Sequence, residues 1–160
     1  MRVVIAAIGK LKDGGERELF KRYSNRFDQA GRALALGPLT MVELAESKLA
    51  GVALRKADEA ARLLKVAAGS EILIVLDEHG SHYATTVFAN RLAKLRDDGV
   101  GSLAFLLGGP DGHGEDALTA SPFNLALGHM TLPHGLARVI LAEQLYRATT
   151  ILSGHPYHRA

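Results

Sequence analysis

The tail of the chain, residues 155–159, groups three side chains that are able to do chemistry. The tyrosine ring of Tyr157 can stack on a nucleobase, the imidazole of His158 can move a proton near neutral pH, and the guanidinium of Arg159 can bind phosphate. Chain termini usually fray, so the plain alternative is a solvated tail. The tail is one candidate source of catalytic groups.

Arg138 is a second candidate, within an apolar stretch that predicts a helix over residues 136–152. Apolar residues cover most of the circumference of this helix, so we expect burial on more than one side, partly against a second copy of the chain. Arg138 falls on an otherwise apolar side, with His134 one turn before it. A buried arginine needs a partner, so a salt bridge and a functional role are both open.

A glycine-rich turn, GGPDG at residues 108–112, follows an apolar run that predicts a buried strand. Glycine adds no side-chain bulk and tolerates positive φ, so such a backbone can approach a ligand closely. The turn is neither a dinucleotide fingerprint nor a phosphate loop, which would need a Gly-Lys-Ser/Thr ending. By itself it equally fits a plain connection between a strand and a helix.

Composition excludes several classes of function. The chain has no cysteine, so it has no disulfide and no thiolate chemistry. Two histidine pairs are spaced for metal binding but lack enough neighbouring ligands, so we expect no metal site. A net charge of +2 permits nucleic-acid binding without arguing for it. No apolar run reaches the roughly 20 residues of a membrane span, and we expect a cytoplasmic protein.

The elements that must position these groups alternate along the chain. Apolar runs predict strands at residues 3–8, 39–44, 72–76, 103–107 and 125–127, and helices are predicted at 16–27, 47–68, 85–98, 115–120 and 136–152. This alternation predicts an α/β fold with a mostly parallel sheet covered by helices on both faces. With 160 residues, we expect one domain over residues 1–160.

Two of the predicted helices have apolar stripes that should face the sheet. The first helix carries Leu19, Phe20, Tyr23 and Phe27 at helical spacing. In the second helix the predicted stripe consists of Leu54, Ala57, Ala61, Leu64 and Ala68.

Four stretches together resemble one known family. They are FLLGGPDG at 105–112, MTLPH at 130–134, RV with AEQLYRA within 138–148, and HPYHR at 155–159. Combined, they are similar to the bacterial ribosomal RNA large subunit methyltransferase H family, the pseudouridine N3 methyltransferases of the SPOUT superfamily. The resemblance implies a SPOUT-type α/β domain with a trefoil knot near the C-terminus, acting as a homodimer.

The same resemblance implies a site and a substrate. It places S-adenosylmethionine against Leu76, Gly108, Gly109, Leu127, Gly128, His129, Met130, Thr131 and Leu132. It implies methyl transfer to N3 of a pseudouridine in a stem-loop of 23S rRNA, within the assembled ribosome. From residue type together with the family's tail, we expect His158 to assist deprotonation, Arg138 or Arg159 to stabilise charge on the ring oxygens, and Tyr157 to stack on or position the base. Two alternatives stay open: a non-catalytic ribosome-associated module that binds cofactor or RNA, and another kind of nucleotide-binding α/β enzyme.

Overall fold

The computed structural model describes residues 1–159 and contains one five-stranded sheet. Every strand pairs in parallel, in the order β2-β1-β4-β3-β5. The strands are β1 (Arg2–Ile8), β2 (Leu39–Leu44), β3 (Ile72–His82), β4 (Ser102–Leu107) and β5 (Asn124–Ala126). The helices are α1 (Gly15–Gly31), α2 (Val52–Ala67), α3 (Thr85–Asp97), α4 (Glu115–Ala120) and α5 (His134–Leu152). The predicted fold class, a parallel sheet flanked by helices, is confirmed.

Strand β4 lies at the centre, and all six of its residues are buried. Successive side chains of a strand point to opposite faces. Leu103, Phe105 and Leu107 accordingly join the hydrophobic cluster formed with α1, α3 and α5, while Ala104 and Leu106 join the cluster formed with α2 and α4. Burial on both faces explains why the strand is a continuous apolar run rather than an alternating one.

Helix α1 buries the predicted stripe, whereas α2 does not. Phe20 and Phe27 are buried in the core, so the α1 prediction is confirmed. The α2 prediction is wrong: Leu54 is 59% exposed, and the buried residues of this helix are Glu59, Ala60, Leu63 and Ala67. Alanines occur on several sides of α2, so apolar periodicity does not select one face, and packing against the sheet selects it instead.

Strand β3 is longer than predicted, because it continues beyond Leu76 to His82. Its pairing with β5 is irregular: Leu76 and Ser81 both lie opposite Leu125, so residues 77–80 are extra residues on β3. Such a bulge redirects side chains at a sheet edge. Here it sets two acidic residues, Asp77 and Glu78, at the carboxyl edge of the sheet.

Strand order and helix layers do not test the trefoil knot, which stays a prediction. Among residues 1–159, none of the helices has the length and apolar character that a membrane crossing requires.

Candidate functional site

A cavity of about 490 Å³ opens at the carboxyl ends of β3 and β4. Open α/β sheets bind ligands at this edge. Its walls come from the end of β3, the turn after β4, the loop after β5 and the first turn of α5. The predicted cofactor residues that line it are Leu76, Gly108, Gly109, Leu127, Gly128, Met130, Thr131 and Leu132. Three segments far apart in sequence therefore form one site.

His129 is the predicted cofactor residue that lies elsewhere. It lines a neighbouring pocket of about 330 Å³, where its ring stacks on that of His82 with ring centroids 3.9 Å apart. The two pockets share the wall made by Leu125, Leu127 and Gly128. The side chain of His129 thus points away from the cavity that its sequence neighbours line.

The glycine turn presents backbone to the cavity because side chains would not fit behind it. Gly112 has φ +82°, a left-handed conformation that favours glycine, and its N–H donates to the Gly109 carbonyl at 2.9 Å. A Cβ on Gly109 would stand 2.7 Å from Oε2 of Glu59 and 3.0 Å from Cγ2 of Ile8. The turn is therefore packed tightly against α2 and β1.

A salt bridge attaches the tip of the same turn to α2. The Arg55 side chain donates to Asp111 at 2.7 Å. This hydrogen bond lowers the pKa of Asp111 and raises that of Arg55. Both side chains are partly exposed, so the pair orients the turn more than it stabilises the fold.

Glu59 is a buried carboxylate that the sequence analysis missed. Only 3% of this residue is exposed. Its Oε1 accepts from the Ser47 N–H at 2.8 Å, and its Oε2 has no hydrogen-bond partner among the described residues. A glutamate on an amphipathic helix usually indicates the solvated face, so no sequence signal pointed to it.

His113 is a second missed residue, and it lies at the floor of the cavity. Its ring is buried, with Nε2 at 3.0 Å from the Gly108 nitrogen and 2.9 Å from the Leu76 carbonyl oxygen. Burial lowers its pKa, while the contact with Leu76 and the charge of Asp77 act in the opposite direction. The neutral imidazole is thus the favoured form near neutral pH.

The loop after β5 closes one side of the cavity. Among residues 1–159, one side-chain hydrogen bond of this loop crosses the opening, from the Thr131 hydroxyl to Glu78 at 2.9 Å. Met130 in the same loop is 81% exposed. The loop therefore makes fewer packing contacts and side-chain bonds than the glycine turn opposite it.

Arg138 is buried and forms the salt bridge that was one of its two predicted roles. It is 2% exposed, and its Nη1 lies 3.1 Å from Oε1 of Glu43 on β2. Its Nη2 donates to the carbonyl of Ile8 at the end of β1. Burial lowers the pKa of Arg138, and the charge of Glu43 opposes that shift. The structure supports the salt-bridge interpretation, and Arg138 does not line the cavity.

The tail folds back on α5 instead of lying free. The Tyr157 hydroxyl donates to Glu143 at 3.0 Å, its ring centroid is 4.8 Å from that of Tyr146, and the Arg147 guanidinium lies 4.7 Å from it. Burial, followed by hydrogen bonds with Tyr23 and Glu143, raises the pKa of Tyr157. The phenol therefore stays protonated at neutral pH.

The remaining tail residues differ in exposure. His158 is half-buried, and its Nδ1 has no partner among residues 1–159, whereas Arg159 is exposed.

The structure keeps the tail and the cavity of one chain apart. Ala137 lines the cavity, and Tyr157 packs on Tyr146, nine residues further along the same helix. Nine residues of α-helix span about 14 Å. The predicted catalytic residues Tyr157, His158 and Arg159 are therefore not brought to the predicted cofactor residues within one copy. Within the described chain, no group of three His, Cys, Asp or Glu side chains lies close enough to hold a metal ion.

Comparisons with known proteins agree with this architecture. The family described as "Predicted SPOUT methyltransferase" matches residues 1–158. A relative from Brucella anthropi, "Ribosomal RNA large subunit methyltransferase H", is 47% identical over 160 residues and the full length of both chains. A relative of the same name from Bradyrhizobium diazoefficiens is also 47% identical over 160 residues and both full lengths.

The fold also occurs in a solved structure. It is "a probable methylase family protein from Haemophilus influenzae Rd KW20", with a TM-score of 0.53 and 12% identity, and the match covers 99% of this chain and 70% of that one. The chain belongs to the SPOUT methyltransferases, among the ribosomal RNA large subunit methyltransferase H proteins.

Proposed function

We propose that this protein is an S-adenosylmethionine-dependent methyltransferase that methylates N3 of a pseudouridine in a stem-loop of 23S rRNA, within the assembled ribosome. The observation that carries the proposal is the cavity in which the glycine turn, the end of β3 and residues 127–132 meet. Full-length relatives named as rRNA large subunit methyltransferases support an rRNA substrate. We further propose that residues 1–160 form one domain that works in the cytoplasm.

The residues of the cavity suit the cofactor. Its volume lies within the roughly 300–1,000 Å³ of small-molecule sites, and the close packing behind Gly109 leaves backbone groups, not side chains, facing the ligand. Leucines supply apolar surface for a ring: Leu107, Leu118, Leu125 and Leu132. The carboxylates of Asp77 and Glu78 lie at the same opening and suit a cationic ligand. When bound, the cofactor supplies the methyl group from its positively charged sulfonium.

The acceptor chemistry defines what the side chains must do. N3 of the uracil ring carries a proton between two carbonyl groups, so a base for that proton and a cation near the ring oxygens both promote the reaction. We assign His158 to accept the N3 proton, because imidazole is the side chain that most often serves as a general base. Arg159, which is exposed, is assigned to the charge on the ring oxygens, and Tyr157 to positioning the base.

Arg138 takes a different role in this proposal. Its guanidinium is already engaged by Glu43 and Ile8. Arg138 therefore acts as a positioning residue that holds the first turns of α5 beside the cavity. A direct contact with the substrate would require it to leave a buried ion pair.

In a homodimer, the tail of one copy can lie beside the cavity of the other copy. We propose that α5 packs across a twofold axis, so that the tail of one copy serves the cavity of the other. Two exposed apolar side chains beside the cavity, Met130 and Leu136, support a partner at this end of the molecule. Sedimentation at micromolar concentration is expected to give a dimer, and a fully active monomer would contradict the arrangement.

Labelled S-adenosylmethionine and ribosomes from a strain that lacks the modification test the activity. Label in 23S rRNA, mapped to N3 of one pseudouridine, is the expected result, and protein-free rRNA should be a poor substrate because the low net charge favours recognition of the ribosome's shape. Cofactor binding without label would indicate the non-catalytic module. No binding of the cofactor would favour another nucleotide ligand, identified by which nucleotide raises the melting temperature.

A further inference from the structure

Three tyrosine rings form a continuous row from α1 across α5 to the tail. The ring centroids of Tyr23 and Tyr146 are 6.3 Å apart, and those of Tyr146 and Tyr157 are 4.8 Å apart. Each of the three residues is partly exposed. The row therefore ends at the tail and keeps part of its aromatic surface open to solvent.

Arg26 on α1 lies over this row. Its guanidinium carbon is 5.9 Å from the ring centroid of Tyr23 and 5.7 Å from that of Tyr146. Ring faces attract the positive charge, but they do not accept its N–H groups as carboxylate or phosphate oxygens do. Arg26 is exposed, and among residues 1–159 its side chain makes neither a salt bridge nor a hydrogen bond. Its charge and its donors are therefore open to a ligand.

The carboxylate nearest to the row is already engaged. Oε1 of Glu143 accepts from Nε of Arg147 at 2.9 Å and from the Tyr157 hydroxyl at 3.0 Å. Its Oε2 accepts from the side-chain amide of Gln144 at 2.7 Å. Arg147 also lies against the Tyr157 ring, but its charge is compensated by Glu143. Of the two arginines that pack on the row, Arg26 is the one without a carboxylate.

Arg22 extends the positive charge along α1. It precedes Arg26 by four residues, so the two side chains lie on the same side of the helix. Arg22 is also exposed, and it has no salt bridge within the described chain. Like charges one turn apart repel each other, so an anion bound between them would relieve that repulsion. We call the surface made by these side chains the tyrosine face: Tyr23, Tyr146, Tyr157, Arg22 and Arg26.

We propose that the tyrosine face binds the rRNA strand beside the target nucleotide, with a backbone phosphate on Arg26 and an unpaired base stacked on the tyrosine row. Arginines next to aromatic rings are the chemistry that binds a single nucleic-acid strand. An acidic peptide would satisfy the arginines and leave the rings without a partner. This inference rests on the proposed function, because that function makes the rRNA stem-loop the substrate.

The position of the tyrosine face fits this role. Tyr157 is the last ring of the row and also belongs to the tail. In the proposed dimer the tail of one copy serves the cavity of the other, so the tyrosine face borders that cavity. A strand that delivers its base to the cavity then passes over the rings and Arg26.

The salt dependence of ribosome binding tests the phosphate contact on the full chain. Ribosomes from a strain that lacks the modification are titrated between about 50 and about 200 mM KCl at constant magnesium, and log affinity is plotted against log salt concentration. Each phosphate contact to a single strand contributes about 0.7 to the slope, so Arg26→Gln should make the slope shallower by about 0.7. Its binding at low salt should weaken by about 10-fold. Arg26→Lys keeps the charge and should keep the wild-type slope.

Arg91→Gln is the matched control. Arg91 is also an exposed arginine over a tyrosine ring, 4.3 Å from the centroid of Tyr83, but it lies on α3. Its replacement should leave the slope unchanged. An unchanged slope in Arg26→Gln, or an equal change in Arg91→Gln, would overturn the proposal. Dissociation of Arg26→Gln into monomers, with the slope unchanged, would overturn it as well and would assign the face to the subunit contact.

The proposed function fails by a different result of the same experiment. If Arg26→Gln has the shallower slope but the wild type transfers no label from S-adenosylmethionine, the RNA contact stands and methylation is not the activity. If the wild type labels 23S rRNA and the slopes of wild type and Arg26→Gln are equal, the activity stands and the tyrosine face is not the RNA contact.

Discussion

The two ends of helix α5 border two regions that are built in different ways: the cavity and the cluster formed by the tail. At its first turn lies the cavity, one wall of which is the backbone of the glycine turn, shaped by a left-handed glycine and by the close packing of Gly109 on Glu59. Beyond its middle, the helix carries a cluster made by side chains, in which Tyr157 contacts Tyr146, Arg147 and Glu143. Backbone recognition depends on conformation, and side-chain recognition depends on residue type. Substitutions at the two ends should therefore fail in different ways.

The largest expected effect is that of His158→Ala in the tail, which should change the methylation rate without changing cofactor affinity. Loss of a general base should lower the single-turnover rate on ribosomes by about 100- to 10,000-fold, with cofactor affinity unchanged. Rapid-quench measurement of labelled rRNA, together with calorimetry, checks both quantities. An unchanged rate would remove His158 from the mechanism. A collapse of cofactor affinity after deletion of the tail from Tyr157 onward would show that the tail supports the cavity structurally.

Arg138→Leu should affect folding before it affects chemistry. It leaves Glu43 without its buried partner, and breaking a buried pair costs about 3–5 kcal/mol. Because Glu43 also pairs with Arg17 and is slightly more exposed than Arg138, the lower end of that range is expected in chemical denaturation. Arg159→Leu, at an exposed position, is the matched control and should leave the free energy of unfolding unchanged. Equal stability of the two variants would contradict a structural role for Arg138.

Gly109→Ala should damage the cavity while the chain still folds. The added Cβ would meet Oε2 of Glu59 at 2.7 Å, and overpacking of this kind costs about 1–3 kcal/mol. Cofactor affinity is expected to fall by about 10-fold as the turn shifts.

Two further variants identify the cause of that loss. Gly69→Ala is the control, since a Cβ there meets nothing within 4 Å. Adding Glu59→Ala to Gly109→Ala removes the carboxylate and should restore part of the cofactor affinity. If the double variant binds no better than Gly109→Ala, the collision with Glu59 is not the cause.

The smallest expected effect is that of Tyr157→Phe. It removes the partly exposed hydroxyl that hydrogen-bonds Glu143 and Tyr23 and keeps the ring contacts, so the free energy of unfolding should fall by about 0.5–1.5 kcal/mol. Thermal unfolding measures this. Tyr157→Ala also loses the ring and should be more destabilising. A loss of stability in Tyr157→Phe as large as in Tyr157→Ala would show that the hydroxyl, rather than the ring, holds the tail.

Much of the fold could be predicted, because its strands and several of its helices are marked by patterns within short stretches of sequence. A buried parallel strand is a continuous apolar run, as in β4, and the stripe of α1 repeats at helical spacing. The face of α2 could not be predicted, because its alanines are compatible with several orientations. The bulge in β3 was missed as well, since it arises from pairing with β5, about fifty residues away.

The sequence by itself determined the elements, the glycine turn and the kinds of chemistry available, because these depend on residue types and on spacing within short stretches. Only the tertiary structure decided that Glu59 and His113 lie beneath the turn, that Arg138 pairs with Glu43, and that the tail of one chain lies away from its own cavity. Those facts depend on contacts between segments far apart in the chain, and no local pattern encodes them.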